Sequence, residues 1–127
     1  MKLNSFHYFI IFLVVVVVGL ITARVWGEQQ PGKFDELAQC ITNSGATFYG
    51  AFWCSHCEEQ RNMFGNSAKL LPYVECSTPD RNNQTQACID AEIVSYPTWD
   101  LSDGTRIQGV QAFADIADAT GCEYNPS

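Results

Sequence analysis

The chain has 127 residues and a formal net charge of −7, with 14 acidic and 7 basic side chains. Beyond residue 30 the basic residues are outnumbered by acidic ones and form no basic stripe, which argues against nucleic acid as a partner. The length beyond that point suits one small domain with a single core. Six cysteines after an apolar N-terminal segment indicate an oxidising compartment.

The first predicted element is the apolar segment at residues 6–23. It is just long enough to span a bilayer as a helix, and Trp26 would lie where aromatic residues line a membrane interface. A cleaved signal peptide fits the same segment, because Lys2 precedes a short apolar core and Ala23 offers a small-residue cleavage site. Both alternatives export the rest of the chain, and the long valine run favours the uncleaved anchor.

The chain therefore divides into three parts. Residues 1–26 are predicted to be the membrane anchor, residues 27–32 a polar linker, and residues 33–127 the exported domain. Fully extended, the linker reaches only about 20 Å. An anchored domain would stay close to the membrane, and its partner would then be at the membrane too.

Within the domain, helical and extended patterns alternate. Apolar residues at helical spacing, from Phe34 to Ile41, predict the first helix, and Pro72 and Gly121 mark the ends of two later ones. The polar segment 102–105 predicts a hairpin. The remaining predicted elements are strands at 46–53, 73–76, 98–101 and 106–110, and helices at 55–71, 84–92 and 112–120. This order predicts an α/β domain of the thioredoxin-like type that lacks its first strand.

Two cysteines, Cys54 and Cys57, lie at the start of the second predicted helix of the domain. Thiol–disulfide exchange needs one attacking thiolate and a second thiol that expels the mixed disulfide, and two intervening residues in a first helical turn bring the sulfurs within bonding reach. Cys54 is the predicted attacker, because free backbone N–H groups and the helix dipole favour a thiolate there. His56 adds a second source of stabilisation, unless it is only a solvated loop residue.

Other interpretations of these cysteines remain open. Cys54, His56 and Cys57 offer thiolate and imidazole ligands that suit copper or zinc, although a distal fourth ligand for structural zinc is missing. Alternatively, all six cysteines are structural and the domain is a non-catalytic scaffold. We predict a redox dithiol that needs no metal and no cofactor.

The sequence around these cysteines resembles one thioredoxin-like branch, the domain that is fused to, or partnered with, vitamin K epoxide reductase homologues in bacteria and chloroplasts. The resemblance covers about residues 45–121. It rests on the runs 48–57 and 73–76 and on Gln60, Met63, Phe64, Gly65, Cys88, Ile93, Tyr96, Pro97, Thr98, Trp99 and Gly109.

The resemblance implies a function as well as a fold. Proteins of this type take oxidising equivalents from a quinone-coupled membrane partner and pass disulfides to cysteine-containing exported proteins. The reductase-like membrane domain is absent from this sequence. The implied location is a single-pass membrane protein whose domain lies in the periplasm, the cell exterior or the thylakoid lumen.

The resemblance also assigns roles to residues near the dithiol. Cys54 and Cys57 are the exchange pair, and Tyr96 with Pro97 forms the loop, cis at the proline, that faces the sulfurs. Trp53 and Tyr96 are the predicted substrate contacts. A simple strand-entry proline is the alternative for Pro97.

Two positions depart from ordinary thioredoxins. Phe48 occupies the place where reductases commonly carry a buried acid, and His56 precedes the second cysteine as in periplasmic disulfide oxidases. A stabilised thiolate makes the disulfide a stronger oxidant. Both departures favour donation of disulfides, in the oxidase or isomerase direction.

The remaining four cysteines are predicted to stabilise the domain. Cys76 and Cys88 match a pair found in the resembled family, so a disulfide between them is expected, with a relay role as the alternative. Cys40 and Cys122 are sterically able to pair. Free thiols or an intermolecular bond are the alternatives for these two.

Overall fold

The computed structural model of the chain describes residues 4–126. They form two compact units, one that ends at Pro31 and one that begins at Gly32.

The first unit is a single helix, α1 (Ser5–Gln29), whose described side chains are exposed. Its stretch Ser5–Gly27 has a mean hydropathy of 2.6 and is long enough to cross a membrane, criteria that a signal sequence near an N-terminus also meets. The helix runs three residues into the segment predicted as linker. It ends where Gln30 turns extended, because a residue before a proline avoids the helical conformation.

The second unit is a mixed α/β domain. Its elements are α2 (Asp35–Asn43), β1 (Thr47–Gly50), α3 (Ser55–Phe64), a 3₁₀ helix (Gly65–Leu70), β2 (Tyr73–Glu75), α4 (Gln86–Asp90), β3 (Thr98–Asp100), β4 (Arg106–Gln108) and α5 (Phe113–Thr120). The α/β class predicted from the sequence is confirmed at this level.

The four strands form one sheet in the order β2-β1-β3-β4. β1 pairs with β2 in parallel and with β3 in antiparallel orientation, and β3 and β4 form the predicted antiparallel hairpin. In the middle of the sheet, the fully buried rings of Phe48 and Trp99 stack at a centroid distance of 4.5 Å. The middle of the sheet is therefore apolar.

The helix predicted at 55–71 is shorter than expected. The α-helix ends at Phe64, and the chain continues to Leu70 as a 3₁₀ helix. Gly65 causes the break, since its φ of 53° lies in the left-handed region that glycine adopts without strain.

The strand predicted at 46–53 is also too long. β1 ends at Gly50, and the amide of Cys54 then donates to the carbonyl of Ala51 in a tight turn. That turn redirects the chain from the strand into α3 and places Cys54 at the edge of the domain core. Every other strand and helix predicted for the domain begins and ends within two residues of the observed one.

Candidate active site

Cys54 is the N-cap residue of α3. Its backbone is extended, with φ −81° and ψ 116°, and its Sγ accepts a hydrogen bond from the amide of Cys57 at 3.3 Å. A helix N-terminus leaves backbone N–H groups without partners, so an acceptor that carries negative charge is stabilised there. The geometry therefore suits a Cys54 thiolate.

Cys57 lies one turn further along α3 and is almost completely buried, with 1% of its surface exposed. Its Sγ donates to the Sγ of Cys54 over 2.7 Å, and both residues are free thiols in this structure. Burial, the hydrogen bond to Cys54 and, to a smaller extent, the negative charges of Cys54 and then Glu75 raise the pKa of Cys57 to about 12. Cys57 is therefore held as a thiol, so the structure gives the two sulfurs different roles.

The turn between β1 and α3 is held from the neighbouring strand by Glu75. Its Oε1 accepts from the amide of Phe52 at 3.2 Å and from the amide of Ser77 at 2.8 Å. Sequence reasoning assigned Glu75 no role. The available signal was an acidic residue inside a strand predicted to be buried, because such a carboxylate needs hydrogen-bond partners.

Trp53 and Tyr96 lie together, as two substrate contacts would. Trp53 is half-exposed, its ring meets that of Tyr96 edge-on at a centroid distance of 6.1 Å, and its Nε1 donates to Ser77 Oγ at 2.7 Å. The Tyr96–Pro97 peptide bond is cis, and Pro97 is buried. The ring contact thus brings the cis-proline loop beside the residue that precedes Cys54.

His56 is directed toward its own helix. Its Nδ1 lies 3.4 Å from Glu59 Oε2, and 70% of the His56 side chain and 61% of the Glu59 side chain are exposed. The contact found for the imidazole is thus with a carboxylate at the surface. Stabilisation of the Cys54 thiolate by His56 stays a prediction.

The other four cysteines form two disulfides, Cys76–Cys88 and Cys40–Cys122. Cys76 and Cys88 are fully buried and make a small second core with Ile93. The Cys40–Cys122 bond ties α2 to the residues that follow α5. Both pairs are closed within the domain and so differ from the free pair at α3.

The alternative metal site at Cys54, His56 and Cys57 gains no support from the arrangement of side chains. Among residues 4–126, His, Cys, Asp and Glu side chains are nowhere gathered in threes around a position that would hold a metal ion.

Comparison with known proteins adds one similarity to this geometry. The chain is 45% identical over 89 residues to a thiol-disulfide oxidoreductase of Arabidopsis thaliana, LTO1. The match covers 67% of this chain and 23% of the relative, so the chain spans about a quarter of that protein's length. No family model matches the chain.

The length of the alignment determines which part of the chain it must include. An alignment of 89 residues in a chain of 127 has to include the middle of the chain, where Cys54 and Cys57 lie. The similarity therefore supports a disulfide redox domain of the thioredoxin-like kind.

Proposed function

We propose that this protein is a membrane-tethered thiol:disulfide oxidoreductase with a thioredoxin-like domain that passes disulfides to exported proteins. The observation that carries the proposal is the geometry of Cys54. This residue caps α3, and its Sγ lies 2.7 Å from the Sγ of Cys57. Cys54 Sγ accepts a backbone hydrogen bond at the helix N-terminus, and burial holds Cys57 as a thiol. Dithiol exchange needs that division.

In this mechanism a substrate thiolate attacks Cys54 Sγ in the oxidised pair, and the electron pair of the broken S–S bond leaves with Cys57. A second substrate thiolate then attacks the substrate sulfur of the mixed disulfide and releases Cys54 as a thiolate. The substrate gains a disulfide and the pair is left reduced. Trp53 and Tyr96, side by side at the rim, offer the apolar surface for the substrate segment.

The oxidising direction is supported by Phe48 and by the cap. A buried aromatic stack occupies the place of the reductases' acid, and stabilising the reduced pair makes its disulfide a stronger oxidant. Reoxidation then needs an acceptor. A quinone-coupled membrane protein like the vitamin K epoxide reductases is the partner we propose, because the apolar helix α1 would hold the domain at the same membrane.

The reduction potential of the pair tests this proposal. Equilibrated against glutathione, the Cys54–Cys57 pair should lie closer to about −120 mV, as in a periplasmic oxidase, than to about −270 mV, as in thioredoxin. Trp53 beside Cys54 provides a fluorescence signal. A variant with both cysteines changed to serine should lose the transition, and a transition that persists there would assign the signal to another disulfide.

Membrane attachment through α1 is tested by cell fractionation. The mature protein should sediment with membranes, resist extraction by high salt and keep its domain on the extracytoplasmic side. A soluble exported product that begins near Arg24 would identify the helix as a cleaved signal peptide.

A further inference from the structure

We propose that Glu75 is the proton acceptor that serves Cys57 when the pair is reoxidised. The inference rests on the proposed function and adds a residue to it, since β1 contains no carboxylate and its Phe48 is stacked on Trp99. Glu75 lies on the neighbouring strand, β2, as the register partner of Gly50, the residue that packs against Cys57 Sγ.

The Glu75 carboxylate is fixed in place by three hydrogen bonds. Oε1 accepts from the amides of Phe52 and Ser77, and Oε2 accepts from the hydroxyl of Tyr73 at 2.7 Å. A carboxylate offers about four acceptor sites. One site is therefore left on Oε2 to take a proton.

Gly50 lets Cys57 and Tyr73 pack closely against the backbone of β1. Gly50 is the register partner of Glu75 across β1 and β2. A Cβ at Gly50 would lie 3.0 Å from Cys57 Sγ and 2.9 Å from Tyr73 Cε2. Because Gly50 has no side chain, the Cys57 sulfur and the ring of Tyr73, whose hydroxyl donates to Glu75, both pack against the same residue.

Cys57 also lines a polar cleft of about 350 Å³, together with Ala51, Phe52 and Arg61. The Arg61 guanidinium lies 5.2 Å from the centre of the Tyr73 ring. Water in this cleft would connect Cys57 with solvent, and Cys54 is not among the residues that line it.

The charged and titratable groups around Cys57 single out Glu75. Cys54 lies on its own helix, and Tyr73 and Glu75 lie on β2. Glu58 lines the cleft but is exposed. The burial of Tyr73 and its hydrogen bond to Glu75 raise the pKa of the tyrosine, which keeps its proton and remains a donor.

Reoxidation moves one proton from Cys57 to Glu75 and one electron pair to the partner's sulfur. After Cys54 has formed a mixed disulfide with the oxidising partner, the Cys57 thiol gives its proton to Glu75. The Cys57 sulfur attacks Cys54 Sγ, the new S–S bond forms, and the electron pair of the broken bond leaves with the partner's sulfur as a thiolate. In the reverse sense, Glu75 returns the proton to Cys57 when a substrate thiolate opens the disulfide.

Stopped-flow reaction of the reduced full-length protein, in detergent micelles, with Ellman's reagent separates the two steps. The first release of thionitrobenzoate reports attack by Cys54, and the second reports attack by Cys57 on the mixed disulfide. Glu75→Gln keeps the size of the side chain and an oxygen for the two backbone amides. It should leave the first phase unchanged and slow the second about 100-fold near neutral pH.

The pH profile distinguishes proton transfer from a structural role. In Glu75→Gln the second phase should rise about tenfold per pH unit, because Cys57 must then ionise unaided, whereas the wild-type rate should change less steeply. Glu58→Gln removes a carboxylate from the same cleft and should behave as wild type. Equal effects of the two substitutions, or an unchanged second phase in Glu75→Gln, would overturn the proposal.

A second variant keeps the test decisive if Glu75→Gln does not fold. Tyr73→Phe removes the hydroxyl donor and keeps the carboxylate, so the wild-type profile of the second phase should move to higher pH. An unmoved profile would count against Glu75. A wild-type protein without any first phase would defeat the proposed function itself, whereas a normal first phase with an unaffected second one defeats only this inference.

Discussion

The pair Cys54/Cys57 and the pair Cys76/Cys88 are both largely buried, yet their surroundings differ. The first lies at a helix N-terminus, with a backbone donor on one sulfur and a polar cleft against the other. The second is enclosed with Ile93 in a small apolar cluster, and Cys88 lies inside α4 rather than at its cap. Donors and charge, not burial, therefore distinguish a reactive pair from a structural one.

Serine substitutions at Cys54 and Cys57 should have the largest effect on thiol exchange. Cys54→Ser should abolish thiol exchange, because the capped nucleophile is lost. Cys57→Ser should keep the nucleophile and accumulate mixed disulfides that it cannot resolve. Non-reducing electrophoresis after acid quenching measures both effects, and mixed disulfides trapped through Cys57 in a chain without Cys54 would reverse the assignment of attacker and resolver.

Removal of the closed disulfides should change stability and leave exchange intact. In the chain-entropy model, loss of Cys76–Cys88, whose cysteines are 12 residues apart, costs about 3 kcal/mol, and loss of Cys40–Cys122, with a separation of 82, costs about 4.5 kcal/mol. Double alanine variants in detergent micelles, unfolded with denaturant, give these values. Loss of exchange in a folded Cys76/Cys88 variant would instead support a relay role for that pair.

The raised pKa of Cys57 predicts how the stability of the reduced protein depends on pH. An unfolded chain releases the Cys57 proton near its ordinary value of 9.0, whereas the folded domain holds it up to about 12. Because the folded state binds the proton more tightly, this contribution is complete below pH 9.0 and is lost as the pH rises toward 12.

Cys57→Ser is the matched reference for that effect, because it keeps Tyr73 and the other groups that titrate in the same range. The free energy of unfolding of the reduced wild type, relative to this variant, should fall across the interval. A constant difference would mean that the folded domain does not hold the proton on Cys57.

The smallest expected effect belongs to His56→Ala. A tenfold weaker stabilisation of the Cys54 thiolate would make the reduction potential of the Cys54–Cys57 pair about 30 mV more reducing. Because the contact between His56 and Glu59 is exposed, we expect a smaller shift in the same direction. Redox equilibration with glutathione, with Glu59→Gln as the companion variant, measures it. A shift above about 30 mV would give the imidazole a direct role at Cys54.

The sequence was most informative where one local pattern decides the structure. Apolar spacing predicted α2 and α5, and the spacing of Cys54 and Cys57 predicted a dithiol at the start of a helix. The end of α3 was misplaced because the apolar pattern continues past Gly65, while the backbone conformation of that residue breaks the helix. Where an apolar helical pattern and a helix-breaking glycine disagree, the sequence alone does not show which one decides where the helix ends.

The hydrogen-bond partners of Glu75 could not be predicted from local sequence patterns. Its hydrogen bond to Phe52 joins residues 23 positions apart and depends on the pairing of β1 with β2, whose register a sequence does not state. The likeness of the Cys54 region to known proteins drew attention to the acid missing at Phe48. That Glu75 stands in register with Gly50, against which Cys57 packs, becomes visible only once the sheet is assembled.

Gln60 occupies a position at which few substitutions would be tolerated. Its side chain is fully buried, accepts from the amide of Gln111 at 2.6 Å and donates to the carbonyl of the same residue at 3.1 Å. A leucine there would orphan two backbone groups, at about 1–3 kcal/mol each, and a glutamate would lack the donor. One turn after Cys57, the position therefore tolerates little besides glutamine, although it takes no part in the chemistry.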